Sequence, residues 1–175
     1  MNTQIFGDAG KKVVIEEFLS GEEASFIVMT DGKTALPFAS SQDHKARDDG
    51  DLGPNTGGMG AYSPAPIVDK EIHEKIMNTV IYPTLAGLEK EGLKYIGFLY
   101  AGLMIDKNKN LKVLEFNCRF GDPETQPIMM RLKSDLAQLC YDACRESLQN
   151  SELEWDDRKS LGAVSYTHLT LPTTR

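Results

Sequence analysis

No apolar run in this chain approaches the ~18–20 residues that a membrane helix needs. The N-terminus, MNTQIFGDAGKK, lacks the basic region and the apolar stretch of a secretory signal. Cysteine is scarce and odd in number: Cys118, Cys140 and Cys144, with no CxxC pair. That sets aside a disulfide framework and a thiolate zinc site. Cys140 and Cys144 are spaced to share a helix face, but no histidine accompanies them, so core packing is their expected use. Positive charge is also short. The 19 Lys and Arg stand against 26 Asp and Glu, a formal charge of −7. This balance argues against a surface that holds nucleic acid by neutralising phosphates. The expectation is a reduced, cytoplasmic setting with neither nucleic acid nor membrane as partner. What is present is ordinary globular material, 41% hydrophobic and 26% charged over 175 residues, enough for one domain with a core.

Residues 12–19 (KVVIEEFL) and 24–30 (ASFIVMT) are rich in β-formers. Asp31-Gly32, placed before Lys33–Leu36, is a hairpin signal, because Asp-Gly suits the positive φ of a tight turn. A meander of three antiparallel strands is predicted. From Ser40 to Pro66 the apolar periodicity stops, and a long functional or disordered loop is predicted. Residues 69–91 return to a helical pattern through Ile72, Ile76 and Val80, with Met77, Ile81, Leu85 and Leu88 beside them. Asp69, Glu71 and Glu74 suit its start and Gly92 its stop, and Pro83 should kink or divide it. Two apolar runs, residues 97–105 and 111–117, flank the hairpin-like link DKNKN. A last helix is predicted over residues 134–148, capped by Ser134, with Leu136, Leu139, Cys140 and Ala143 inward. Leu161–Val164 reads as the opening of a strand. The Thr-rich SYTHLTLPTTR that follows breaks register and is set aside as foreign to the fold, so His168 receives no role. Strands and helices in separate groups predict an α+β fold.

The densest chemistry lies in residues 113–124, VLEFNCRFGDPE. Glu115 and Asn117 are two apart on a predicted strand, so they share a face. A carboxylate and an amide carbonyl aimed together are hard oxygen ligands, suited to Mg²⁺ held jointly with substrate phosphates. Arg119 continues the alternation if the strand persists, and Asp122 and Glu124 follow around a Gly-Asp-Pro turn. Such groups on an otherwise apolar strand are costly unless paired or wet. For Glu-x-Asn alone, a plain solvent-facing strand is the alternative. GPNTGGMG, Gly53 to Gly60, supplies glycine-freed N–H groups of the kind that wrap phosphate or acyl oxygens. It is neither a Walker loop nor a dinucleotide fingerprint. Taken alone it reads first as a flexible linker. Just before it, Gln42-Asp43-His44-Lys45 gathers donors and one carboxylate; His44 by itself reads as a solvated histidine before a general base. Glu16-Glu17-Phe18-Leu19 ends a predicted strand and offers main-chain groups and an apolar wall to a planar base, a weak signal on physical grounds alone.

Taken in order, VIEEFLSGEEASF, SQDHK, GPNTGGMGAYSPAP, GFLYAGLMID and VLEFNCRFGDPETQ resemble the phosphoribosylamine–glycine ligases of the ATP-grasp superfamily, over residues 6–164. The resemblance is specific at QDHK with GPNTGGMGAYSPAP and at EFNCRFGDPE, while EEFL is shared more loosely. It implies an ATP-grasp fold, an antiparallel sheet with flanking helices. It also implies ATP-dependent ligation of glycine to 5-phosphoribosylamine through glycyl phosphate, giving glycinamide ribonucleotide, ADP and phosphate. Carried over by motif, Glu16, Glu17, Phe18 and Leu19 would line the adenine pocket, with Glu23 at the ribose hydroxyls. Glu115 and Asn117 would hold Mg²⁺ or Mn²⁺. Arg119 and Asp122 would be catalytic, Arg119 by stabilising charge on the acyl phosphate. Asp43, Lys45, Gly57, Gly58, Met59 and Gly60 would face the substrates. Where many ATP-grasp enzymes place a further acidic ligand on the preceding strand, Leu103 stands here. The resemblance further implies that residues 1–164 are part of an ATP-grasp domain whose N-terminal domain, first ATP subdomain and C-terminal domain lie outside it. It implies a monomeric full-length enzyme, and no activity for this chain alone. Two other functions stay open: another ATP-grasp carboxylate–amine ligase, and a non-catalytic nucleotide-binding module.

Overall fold

The structure is a computed structural model and describes residues 7–164; the stretch expected to be foreign, residues 165–175, lies outside the described residues. Among the described residues seven strands are formed: β1 (Glu22–Thr30), β2 (Ala35–Pro37), β3 (Gln42–Asp48), β4 (Leu52–Ser63), β5 (Gly97–Ile105), β6 (Leu111–Asn117) and β7 (Ser160–Ala163). Four α-helices accompany them: α1 (Lys70–Ile76), α2 (Tyr82–Lys90), α3 (Thr125–Arg131) and α4 (Leu136–Cys144). The strands make two antiparallel sheets, ordered β2-β1-β5-β6 and β3-β4-β7. The fold is α+β, as predicted.

The β1–β5 ladder runs from Glu22↔Ile105 to Thr30↔Gly97 and sorts side chains onto two faces. Ala24, Phe26 and Val28 of β1 join Leu99, Ala101, Leu103 and Ile105 of β5 on the first face, under Ile72, Ile76, Met77, Val80 and Ile81. Ile27, Met29 and Tyr100 occupy the second, under Phe38, Ile128, Leu139 and Ala143. Covered on both sides, β1 is buried almost without alternation from Ala24 to Thr30. Each large apolar side chain so enclosed contributes about 1.5–3 kcal/mol.

The helical stretch behaves as Pro83 demands. Proline has no N–H to donate, and its ring would clash with the carbonyl one turn back, that of Thr79. The chain widens into a π-helical turn over Met77–Ile81, where the Tyr82 N–H reaches the Met77 carbonyl, and α2 then begins with proline in its first turn. Gly92, at φ +75, ends α2. The Leu93 N–H bonds the Leu88 carbonyl and the Gly92 N–H bonds that of Glu89, both at 2.9 Å, which satisfies the last carbonyls of the helix.

Four expectations are corrected. Residues 12–19 form no strand. Val14 and Ile15 are 85% and 84% exposed, since among the described residues no strand pairs with them, and β propensity is realised only against a partner. The β1–β2 connection is four residues long. Asp31 Oδ1 accepts from the N–H groups of Lys33 and Thr34, and Gly32 alone of the Asp-Gly pair takes a positive φ, +92. The region from Ser40 to Pro66 is a paired hairpin, β3 with β4, and not a loop. Its glycines erase the apolar alternation while leaving the backbone free to bond, and β4 gains a second partner in β7. Finally, the last helix is shorter than predicted, ends at Cys144 and is capped by Asp135, whose Oδ1 accepts from the N–H groups of Ala137 (2.8 Å) and Gln138 (3.2 Å). Ser134 instead donates to the Glu152 carbonyl. Cys140 packs half-buried against the second core cluster, but Cys144 is exposed, so core packing holds for only one of the pair. Helix α3 went unpredicted. Among the described residues, no helix is long and apolar enough to cross a membrane.

Candidate functional site

The second face of the larger sheet changes character along its length. Beyond Ile27 and Tyr100 the apolar residues give way to Glu23 and Ser25 on β1, Gly102 on β5, and Glu115 and Asn117 on β6. The registers Ser25↔Gly102↔Glu115 and Tyr100↔Asn117 place these residues in adjoining rows. A bulge sets the last of them. Gly102 pairs with Glu115 but Leu103 pairs with Val113, so Leu114 is the extra residue. Gly102 leaves room for the carboxylate beside it, because a Cβ there would lie 3.2 Å from Glu115 Cγ. Leu103 points the other way, fully buried in the first core cluster. It therefore does not occupy the place of a further acidic ligand, and an acid at that position would face the helices.

The smaller sheet closes this face. Ser25 and Ser41 exchange two backbone hydrogen bonds, at 2.8 and 3.2 Å, which dock the start of β3 against β1. Gln42 Nε2 donates to the Glu23 carbonyl at 3.0 Å, and Lys45 Nζ forms an ion pair with Glu23 at 3.0 Å. Asp43 is buried, and its Oδ1 has no hydrogen-bond partner among the described residues. Glu124, only 2% exposed, accepts from Ser25 Oγ at 2.7 Å, and Ser25 Oγ lies 3.0 Å from the Tyr100 hydroxyl. Three carboxylates, Glu23, Asp43 and Glu115, thus act on one lysine.

Their charges act on one another. Burial, followed by the Glu124 charge, pushes the Asp43 carboxyl up to about 7. Burial opposes the charge on Lys45, but the Glu23 hydrogen bond and charge, with Asp43 and Glu115 behind them, outweigh it and raise the ammonium. The Tyr100 phenol is raised, first by burial and then by Glu124.

The glycines of β4 serve different ends. Gly58, at φ +122, lets the hairpin approach the 121–124 turn: a Cβ there would come 2.5 Å from Pro123 Cδ and 3.0 Å from Asp43 Oδ1. Its N–H donates to Thr56 Oγ1 at 3.1 Å. At Gly60 a Cβ would meet the Gly162 carbonyl at 2.7 Å, so this glycine serves the pairing with β7. Gly57 has open space before it and Met59 is exposed. Strand β6 stops at Asn117, so Arg119 does not continue the alternation. It lies exposed in the following bend and donates to the Phe120 carbonyl at 2.8 Å. Asp122 is exposed on the turn that ends at the buried Glu124.

At the other end of β6, Glu16, Glu17, Phe18 and Leu19 meet Met104, Lys112, Val113 and Leu114 around a cavity of about 290 Å³, with Glu17 and Lys112 paired at 2.9 Å. One strand thereby joins the expected base pocket to the expected metal ligands. Among the described residues no cluster of three or more His, Cys, Asp or Glu converges on a point. The two-oxygen set of Glu115 and Asn117 fits Mg²⁺ or Mn²⁺ bound jointly with phosphates, since Mg²⁺ is ordinarily held by one or two carboxylates plus substrate and water. Sequence reasoning missed the Ser25–Tyr100–Glu124 network. A lone serine inside ASFIVMT and a lone tyrosine inside GFLYAGLMI were its signals.

Comparison with known proteins identifies the family. The family described as phosphoribosylglycinamide synthetase, ATP-grasp (A) domain, matches residues 1–125. The chain is 65% identical over 159 residues to the phosphoribosylamine–glycine ligase of Escherichia coli K12 and 67% identical to that of Vibrio parahaemolyticus. In both cases the match covers 91% of this chain and 37% of the relative, so the chain spans little more than a third of the length of these relatives. The crystal structure of phosphoribosylamine–glycine ligase from Thermotoga maritima superimposes with a TM-score of 0.63 at 37% identity, over 75% of this chain and 33% of that one. A biotin carboxylase from Campylobacter jejuni shares the fold alone, at 15% identity and a TM-score of 0.57 over 83% of this chain and 30% of that one. The matched residues take in β1 to β6 with both ends of the polar face, and the chain belongs to the family of phosphoribosylglycinamide synthetase ATP-grasp domains.

Proposed function

We propose that this chain carries one wall of the nucleotide site and much of the substrate surface of a phosphoribosylamine–glycine ligase. The reaction is ATP-dependent joining of glycine to 5-phosphoribosylamine through glycyl phosphate, with glycinamide ribonucleotide, ADP and phosphate as products. The observation that carries this reading is the position of Glu115 and Asn117. They sit on β6 between the 290 Å³ cavity at Glu16–Leu19 and the Asp43–Lys45 cluster.

When bound, ATP and Mg²⁺ or Mn²⁺ supply phosphoryl transfer to the glycine carboxylate and neutralise the phosphate charge. The chain's own residues bind and orient. Glu16 to Leu19 form a wall for the base, and Glu23, fixed by Lys45, faces the ribose. Glu115 and Asn117 hold the metal. Arg119, an exposed guanidinium two residues beyond, balances charge on the acyl phosphate, while Asp122, Gly57, Gly58, Met59 and Gly60 border the substrates. Positioning and charge neutralisation dominate such a transfer, which explains the lack of a Ser or Cys nucleophile. We assign this activity to a protein of the relatives' full length, a cytoplasmic monomer, and expect no turnover from these 175 residues alone.

The test is Glu115→Ala in the full-length protein. ADP release dependent on glycine and phosphoribosylamine should fall by ~10²-fold or more, as on loss of a charge-stabilising group. Unchanged release would remove Glu115 from the metal site, and equal release with unrelated amines would reassign the substrate.

A further inference from the structure

Two buried carboxyls, Asp43 and Glu124, lie outside the proposed nucleotide and metal positions. Glu124 is enclosed at the start of α3, with one oxygen committed to Ser25 Oγ. Asp43 is 9% exposed and keeps an oxygen with no donor among the described residues, 3.0 Å from where a Gly58 Cβ would stand. A buried acceptor left unpaired is costly, and such groups concentrate at sites of chemistry. The groups around Asp43 are Lys45 and His44 on its own strand, Glu23 on β1 and Glu124 from the 121–124 turn. Tyr100 on β5 and Glu115 on β6 belong to the same cluster, the first bonded to Ser25 and the second felt by Lys45 and Tyr100. Facing it, the Gly58–Ala61 segment of β4 brings no charge.

Amide formation from an acyl phosphate needs a proton acceptor. The amine nitrogen forms the C–N bond, the C–O bond to phosphate breaks, phosphate departs with the bonding pair, and the nitrogen sheds one proton. Lys45 is committed to Glu23 as a cation, and Glu124 is sealed behind Ser25. We propose that Asp43 takes the proton of the attacking amine, and that Glu124 is the buried counter-carboxylate that positions it for this role. This rests on the ligase reading given above and names its base. After the step Asp43 is a neutral acid and returns its proton to water as products leave. Its carboxyl, pushed up to about 7 by burial and by Glu124, is matched to proton transfer near neutrality.

The experiment uses a ligase of the relatives' full length carrying these residues, with product formation followed against pH at limiting amine. The wild type should show an acidic limb with a midpoint near 7. E124Q retains an acceptor for Ser25 but removes the charge. It should move the limb to lower pH and lower the plateau ~10-fold. D43N should lose ~10²-fold in product formation, the usual share of a general base. An unmoved limb in E124Q, or D43N within about threefold of wild type, overturns the assignment. A wild type that releases no ADP with glycine and phosphoribosylamine overturns the ligase reading as well, so the two failures are distinct. Should E124Q not fold, the ¹³C titration of the Asp43 carboxyl in the wild-type chain still decides. A midpoint near 7 supports the base, and one in the ordinary carboxylate range overturns it.

Discussion

Replacing Asp43 with asparagine should make the protein more stable in alkali than the wild type, relative to the same comparison in acid. Asp43 carries a folded-state carboxyl near 7 against an ordinary value of 3.8. Between those two pH values the native state holds a proton that the unfolded chain has released. The contribution of Asp43 to stability is therefore fully present below 3.8 and is lost as pH rises through 7. Each pH unit in that window costs about 1.4 kcal/mol, so the passage from pH 5 to pH 8 should remove about 2–3 kcal/mol from the wild type. Asparagine does not titrate, and D43N escapes this loss. Urea unfolding of both proteins at pH 5 and pH 8 reads the effect of Asp43 and its charge partners, because titrating groups not coupled to Asp43 cancel in the difference. The stability of D43N minus that of wild type should rise by about 2–3 kcal/mol between the two conditions, equivalent to ~5–10 °C in the thermal midpoint. Parallel pH curves for the two proteins would refute the claim that burial and Glu124 disfavour the Asp43 charge.

Gly58→Ala should cost about 1–3 kcal/mol in urea unfolding, since the position combines φ +122 with a Cβ 2.5 Å from Pro123 Cδ; a loss under about 0.5 kcal/mol would show that the hairpin does not press on the 121–124 turn. Asp31 gives the opposite pH dependence to Asp43. Burial pushes its carboxyl up, but the backbone N–H groups of Thr34, Lys33 and Leu148, at 2.7, 3.0 and 3.1 Å, outweigh that and hold it below the ordinary value. Its stabilisation is present above the unfolded pKa and fades as pH falls through the folded one, so Asp31→Ala should cost about 2–3 kcal/mol at pH 7 and less near pH 3. Denaturation at both pH values checks this, and an equal cost at each would refute it.

Where a local signal sufficed, the sequence was readable. The apolar runs of β1 and β5, the Pro83 break and the Gly92 stop each depend on a few neighbouring residues, and each stands as predicted. The pairing of Glu115 with Asn117 also needed only the two-residue period of a strand. Hairpin β3–β4 was hidden because its partners are remote. Ser41 binds Ser25 and β4 takes β7, about 100 residues later, while glycine strips the strand of the alternation by which it is recognised. Residues 12–19 failed for the converse reason, having strand composition but no strand beside them among the described residues. The cap of α4 could not be assigned from type alone, since Ser134 and Asp135 are both good caps and backbone geometry chose between them. Glu124 was visible as an acid but not as a buried one. Its burial depends on a serine and a tyrosine lying within runs that otherwise read as core.

The electrostatics of the substrate side depend on the docking of the hairpin. The two sheets touch through the Ser25–Ser41 backbone pair, the Gln42 and Lys45 contacts to Glu23, and the close approach of Gly58 to Pro123. These same contacts bury Asp43 beside Glu124 and give Glu23 its cation. Were β3 and β4 to swing away, Asp43 would meet water and its carboxyl would fall toward the ordinary range, while Glu23 would lose its partner. Hairpin docking and the proton on Asp43 are therefore linked. Every unit by which docking raises the carboxyl is about 1.4 kcal/mol by which ionisation opposes docking. Low pH should hold the hairpin down, and a cationic group entering beside Asp43 should do the same at neutral pH by offsetting its charge.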